Sequence, residues 1–380
     1  MKTSRSSGAP ALAPVALLLA LAALLPAQET TGGDLYVEAG RVVTMSGKAL
    51  ENAGVLIRSG RVKALGRDLS IPVGCEVRRF PDGVIFPGFI DAGSNLGIYT
   101  ERNETARPVV TDLLVEETFN PFEVDLPRVL RSGVTTLHLM PGDLDLVGGQ
   151  TAVLEPLGEG KARFLERSAG VKISLVQAAW PRNRKPTSVA GGIALLAREV
   201  SRDPLLRRVV AGEKRAFVAA ATRSEIEQAC DLSRVCGIKG ILMTSAQARH
   251  LPRKIAALGT GVILAPVLPA QAPYERRVAA RLHQAGIPLA FMSSAPALPA
   301  SSIRLSAQVS HLAGLPRDAA HAAMTLDAAR LLGVDGEVGS LEPGKQGDLV
   351  VFSADPLDPR ARILLVAQNG RVVHEAKESQ

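Results

Sequence analysis

Only one histidine stands on an apolar, strand-like run, where it could meet other reactive groups at the end of a strand. His138 lies between Leu137 and Leu139 in SGVTTLHLMPG, whereas His250, His283, His311 and His321 sit in helix-like segments and His374 in the tail. A metal centre takes three or four ligands, so His138 by itself reads as a packed or loop-bonded histidine. Asp143 and Asp145 follow in the DLDL after Pro141-Gly142 and read as a solvated loop with an Asx turn. Ser293-Ser294 presents two hydroxyls, but no His or Lys is spaced to activate either, and a serine without an adjacent base is a weak nucleophile. Gln150, in Gly148-Gly149-Gln150, either faces a pocket or follows a tight bend that its glycines permit.

Strands must hold these residues. Val84 to Gly97, VIFPGFIDAGSNLG, is apolar up to Asp91 and then breaks into small polar residues, as at the end of a buried parallel strand. Further on, RAFVAAA (215–221), GILMTS (240–245), GVILAPV (261–267) and IPLAFMSS (287–294) alternate with helical segments beginning near Ser224, Ala246, Tyr274 and Ser301. That alternation predicts parallel β/α units. Ser188 to Val210 has helical spacing that Pro204 must break. Ile98 to Asp125 is polar and irregular, a long loop over the barrel's top face, and a helix from about Asp125 to Arg131 follows it. Near the start, VLI and RVKAL flank Ser59-Gly60 as a hairpin in a small sheet. The 380 residues accommodate one barrel of about 250 plus a smaller module. With 46% hydrophobic but only 3% aromatic residues, the core must be aliphatic, which suits a parallel α/β protein.

The phrases flanking these positions resemble the amidohydrolase superfamily, in its imidazolonepropionase-like branch. PGFIDAGSNLG resembles the first barrel strand, SGVTTLHL the second, and VGGQTAVLE and VKISLVQAAWP the third and fourth. The tail TLDAARLLGVDGEVGSLEPGKQGDLVV matches the family phrase almost throughout, with Asp327 where Asn is usual and Gly347 where Ala is usual. The resemblance implies a (β/α)8 TIM-like barrel at 84–336, inserted into a β-sandwich built from 28–83 and 337–380. It also implies a zinc or other divalent metal that activates water for hydrolysis of non-peptide carbon–nitrogen bonds. The ligand positions are vacant of ligands: Gly93 and Asn95 stand for the first histidine pair, Ala219 and Ala221 for the strand-five pair, and Ser294 for the catalytic aspartate. None of these replaces imidazole or carboxylate on a divalent metal. Strand six, which often ends in a histidine, has Thr244.

The expectation is therefore a catalytically degenerate member with no metal and no catalytic residue, whose neutral polar pocket draws on Asn95, His138, Gln150, Thr244, Ser293 and Ser294. Its expected partners are a small polar ligand, and a second copy of this chain or an active relative. The alternative is an active but unorthodox hydrolase. Asp91 and Asp348 keep their family residues and read as structural hydrogen-bonding groups.

Met1 to Ala27 carries Lys2 and Arg5, the apolar run Val15 to Leu25, then Pro26-Ala27, the order of a secretory signal (1–27). That predicts a periplasmic or secreted protein, with an uncleaved amphipathic anchor as the alternative; the run is too short for the roughly 20 residues of a membrane span. Removing two cations takes the formal charge from +7 to +5. Scattered basic residues without interleaved aromatics argue against nucleic acid. Cys230 and Cys236, six residues apart in a helix-like segment, and Cys75 suggest no disulfide framework.

Overall fold

The computed structural model describes residues 33–98 and 102–377. The segment read as a secretory signal lies outside them. Two sheets organise the chain. The first is formed by β1 (Leu35–Val42), β2 (Leu50–Arg58), β3 (Arg61–Gly66) and β4 (Glu76–Pro87), joined at the far end of the sequence by β13 (Leu349–Phe352), β14 (Ile363–Gln368) and β15 (Arg371–Glu375). Its order is β15-β14-β13-β4-β1-β2-β3, so strands from both ends of the chain meet where β4 pairs with β13. One face packs Leu35, Val37, Val55, Ile57, Ile85, Val351 and Leu365 against one another. The other carries Phe86, Val350 and Phe352 into the barrel's outer core, where Phe89 stacks on Phe352 at 5.6 Å.

The second sheet runs β5 (Phe89–Ser94), β6 (Val134–Leu139), β7 (Val147–Gly158), β8 (Lys161–Ser174), β9 (Arg215–Ala220), β10 (Ile241–Thr244), β11 (Val262–Leu264) and β12 (Leu289–Phe291) in sequence order. It bends until its edges meet, the Ser294 N–H donating to Gly93 O at 3.2 Å and the Asn95 N–H to Ala295 O at 2.8 Å. The result is the expected α/β architecture, a TIM-like barrel beside a sheet made from the chain ends.

Two expectations need correction. The stretch from Val84 to Gly97 is not one barrel strand: Val84–Pro87 completes β4 in the end sheet, and the chain crosses into the barrel at Gly88. A Cβ there would collide with the Thr135 hydroxyl, so this crossover needs glycine. The third strand is also not a parallel β/α unit, because β7 runs antiparallel to both β6 and β8. Only residues 140–146 separate β6 from β7, too few for the dozen or more of a parallel crossover. Gly158, Glu159 and Gly160, all at positive φ, turn β7 tightly into β8.

The helices follow local signals. Ser188 caps Val189–Glu199 by accepting from the Gly191 N–H, Asp203 caps the helix restarted by Pro204, and Thr222 forms a capping box with Glu225 at the head of Arg223–Cys236. Cys75, Cys230 and Cys236 are free thiols. No helix among the described residues is long and apolar enough to cross a membrane.

Beneath the barrel, Asp348 and Glu155 bury two carboxyls side by side. The Arg163 Nε–H donates to Glu155 at 3.0 Å, and the Asn369 N–H to Asp348 at 2.9 Å. Burial first, then the adjacent Asp348 carboxylate, pushes Glu155 well above the ordinary carboxyl range; burial likewise raises Asp348. A carboxyl whose folded pKa is raised loses stability as pH climbs from its unfolded pKa through the raised value. Asp348→Asn keeps the acceptor for Asn369 and gives Glu155 a neutral neighbour. It should therefore reduce the fall in melting temperature between about pH 5 and about pH 8, with a gain above about 1 kcal/mol at the upper end. Thermal melts of both proteins at the two pH values check this, and an equal fall in both would refute it.

Candidate functional site at the barrel mouth

Alternation along each strand decides what faces the barrel interior. Phe217, Ile241, Met243, Ile263 and Ala290 point inward, whereas Ala216, Val218, Leu242 and Leu264 join the outer core between sheet and helices. Ala219 and Ala221 share the inward parity of Phe217, Ala219 buried and Ala221 exposed at the rim. Beside them, Ser174 of β8 pairs with Ala219, and Ala219 with Met243, so this inner layer is apolar apart from one hydroxyl.

Gly93 is the central observation. A Cβ built on it would lie 2.7 Å from Met140 Cε, 2.9 Å from Met292 Cβ and 3.0 Å from Met292 Sδ. Two methionines thus occupy the space into which a side chain at this position would project. Where a polar cavity was expected beside Gly93 there is packed methionine, a side chain flexible enough to take up space left by missing ones; the buried charged groups of this interior are Asp91, which accepts from the Gly93 N–H, and Lys172.

Three of the six candidate pocket residues turn away from the centre. Thr244 has the parity of Leu242 and faces the outer layer. Gln150 is paired across strands with Val171, an outer-core residue; its amide donates to Thr111 O at 2.9 Å and accepts from the Ser168 hydroxyl. Ser293 is fully buried and spends its hydroxyl on Asp91. Strand parity, shifted by bulges in β7, sets these directions and is hard to fix from sequence where apolar and polar residues do not alternate cleanly.

The other three stay near the mouth. Asn95 is half-buried, its amide donating to Met140 O at 2.9 Å and its oxygen accepting from Arg102 at 2.7 Å. Ser294 is half-buried at φ 61°, next to Gly93 across the closing seam. His138 lies deeper, fully buried against the Phe217 ring at 4.5 Å. Its Nδ1 is 2.9 Å from Ala92 O, so Nδ1 carries the proton, and Nε2 has no partner among the described residues. Burial pushes its pKa down to about 4, which keeps the ring neutral. Sequence reading missed Lys172, a buried lysine inside β8 whose ammonium reaches Asp143 at 2.8 Å and Pro141 O at 3.4 Å. Its signal was a lone charge between Val171 and Ile173 in an apolar run.

The seam has its own device. Asp91 is fully buried and accepts from the Gly93 N–H at 3.1 Å, the Ser293 N–H at 2.9 Å and the Ser293 hydroxyl, tying β5 to the end of β12. Burial raises its pKa to about 6, while the bonds from Ser293 and Gly93 pull the other way.

A divalent metal does not fit these residues. Gly93, Ala219 and Ala221 have no donor atom, the Asn95 amide is committed to Met140 and Arg102, and methionine fills the centre. No group of three or more His, Cys, Asp or Glu among the described residues is placed to hold a metal ion.

Comparison with known proteins agrees with this architecture. Residues 214–374 match the Amidohydrolase family model. The chain is 25% identical to a 5-methylthioadenosine/S-adenosylhomocysteine deaminase of Symbiobacterium thermophilum, over 84% of this chain and 85% of that protein. An amidohydrolase from Thermotoga maritima superposes with a TM-score of 0.78 at 21% identity, covering 90% of this chain and all of that one. Molinate hydrolase superposes at 0.60 and 14% identity, covering 90% and 94%. The matched segment and the shared fold make this chain similar to the amidohydrolases in architecture, with family phrases in both the barrel and the end sheet.

Proposed function

We propose that this chain is a catalytically degenerate, exported amidohydrolase that acts by binding, to a small polar ligand or to an active relative, and not by metal-dependent hydrolysis. The packing of Met140 and Met292 over Gly93 carries this reading, because it removes the room as well as the ligands for a metal. The polar rim of Asn95, Arg102 and Asp143, the last paired with the buried Lys172, supports recognition at the mouth. The charge, apolar run and small residue in the first 27 positions support export. Elemental analysis of protein purified without chelator should find zinc, manganese and iron far below one per chain. One bound metal per chain would sink the proposal.

One observation favours the alternative, an unorthodox hydrolase of carbon–nitrogen bonds: the neutral His138 keeps a bare Nε2 in the same interior as Lys172. That reading requires turnover of an amide or amine substrate that disappears in His138→Gln while the variant's melting curve stays in place.

A further inference from the structure

At the opposite end of the barrel from the mouth, the turns leading into β9, β10, β11 and β12 and the helix Leu326–Leu332 enclose a cavity of about 640 Å³. Lys214, Arg215, Lys239 and Arg330 line it, against a single carboxylate, Asp327, which pairs with Arg330 at 3.2 Å. The Lys214 ammonium donates to Ser168 O. The Arg215 guanidinium lies over Gly333, where a Cβ would collide with it, so glycine there leaves the guanidinium its place. Neither Arg215 nor Lys239 has an ion-pair partner among the described residues; the nearby acid Glu213 is turned to Arg208 at 3.5 Å.

Isolated surface lysines are ordinary solvated charges and specify nothing. This arrangement differs because four cations converge on one concavity, whose low-dielectric walls concentrate their field. The Lys214 pKa is lowered by burial above all; the Glu166 carboxylate opposes this, and Arg208 and Arg215 add smaller lowering effects. A multiply charged oxyanion offers several acceptors to converging N–H donors, and charge-assisted bonds to guanidinium and ammonium are the strong kind.

We propose that this floor cavity is a binding site for a small, multiply charged oxyanion, a di- or polyphosphate or a polycarboxylate. It lies away from the mouth and does not depend on whether the mouth is catalytic. Isothermal titration of the full chain with pyrophosphate, and separately with citrate, at constant ionic strength should show saturable one-to-one binding of at least one. Preference between them identifies the class. Lys239→Glu, at an exposed position with no ion pair to lose, should weaken binding by about tenfold or more, and Lys239→Arg should retain it. Arg182→Glu, an exposed reversal in the segment after β8, should leave affinity unchanged. No saturable binding of either anion would overturn the proposal, as would an equal loss in Lys239→Glu and Arg182→Glu.

Discussion

Gly93→His lowers the unfolding free energy by about 3 kcal/mol, the upper end of what overpacking a closed core costs. Gly93 is not among the glycines at positive φ, so its backbone suits any residue and the cost comes from packing alone. The Met140 methyl, 2.7 Å from the new Cβ, is the far end of a flexible side chain and can swing away. Met292 Cβ, at 2.9 Å, cannot, because it is fixed to the end of β12. The imidazole must then displace the seam or tilt into the interior beside Ala219. Urea denaturation of the variant and of Gly93→His with Met140→Ala and Met292→Gly separates the effects: the triple variant should recover part of the loss relative to the same two methionine changes alone. An unchanged midpoint in the single variant would mean that the interior is not packed as described. Restoring histidines at all the family positions should likewise fail to bind zinc until the methionines are trimmed.

Asp91→Ala should cost still more, about 4 kcal/mol or above. The substitution leaves the N–H groups of Gly93 and Ser293 and the Ser293 hydroxyl buried with their shared acceptor gone, and each unsatisfied buried group costs about 1–3 kcal/mol. These donors lie on the two strands that close the barrel, so the loss should be local to the seam. Amide hydrogen exchange should accelerate first at Gly93, Asn95, Ser293 and Ser294, ahead of β9 and β10 in the same barrel. Asp91→Asn keeps one acceptor oxygen and should lose less. Uniform acceleration across all eight strands would contradict a seam-specific role.

How far the sequence could be read depends on what each residue's neighbours are. The barrel strands from Arg215 on and the helices between them were legible because short apolar runs alternating with helical segments are local signals. The shared sheet of the two chain ends was legible only through family phrases, since nothing local in LYVEAG announces a partner near Leu349. The antiparallel β7 was not: the glycines at 158 and 160 mark a turn, but strand direction depends on which neighbour it meets. The missing ligands were plain from residue identity. What fills their place was not, because Met140 and Met292 are far apart in sequence and become neighbours only when the barrel closes. Thr244, Gln150 and Ser293 were read on the wrong face for the same reason, while the structural role expected of Asp91 is visible in its three bonds.

The meeting of β4 with β13 also sets a schedule for synthesis. Pro87 leaves the ribosome about 260 residues before Leu349, a delay of about 15–50 s at roughly 5–20 residues per second. Throughout that interval one edge of β4 can pair with β1, and the other, destined for β13, has no native partner. An open strand edge recruits other strands, including those of other nascent copies. The segment carrying β13 therefore closes an intermediate with an open strand edge, and a chain stalled just short of Leu349 carries every barrel strand with that edge unpaired.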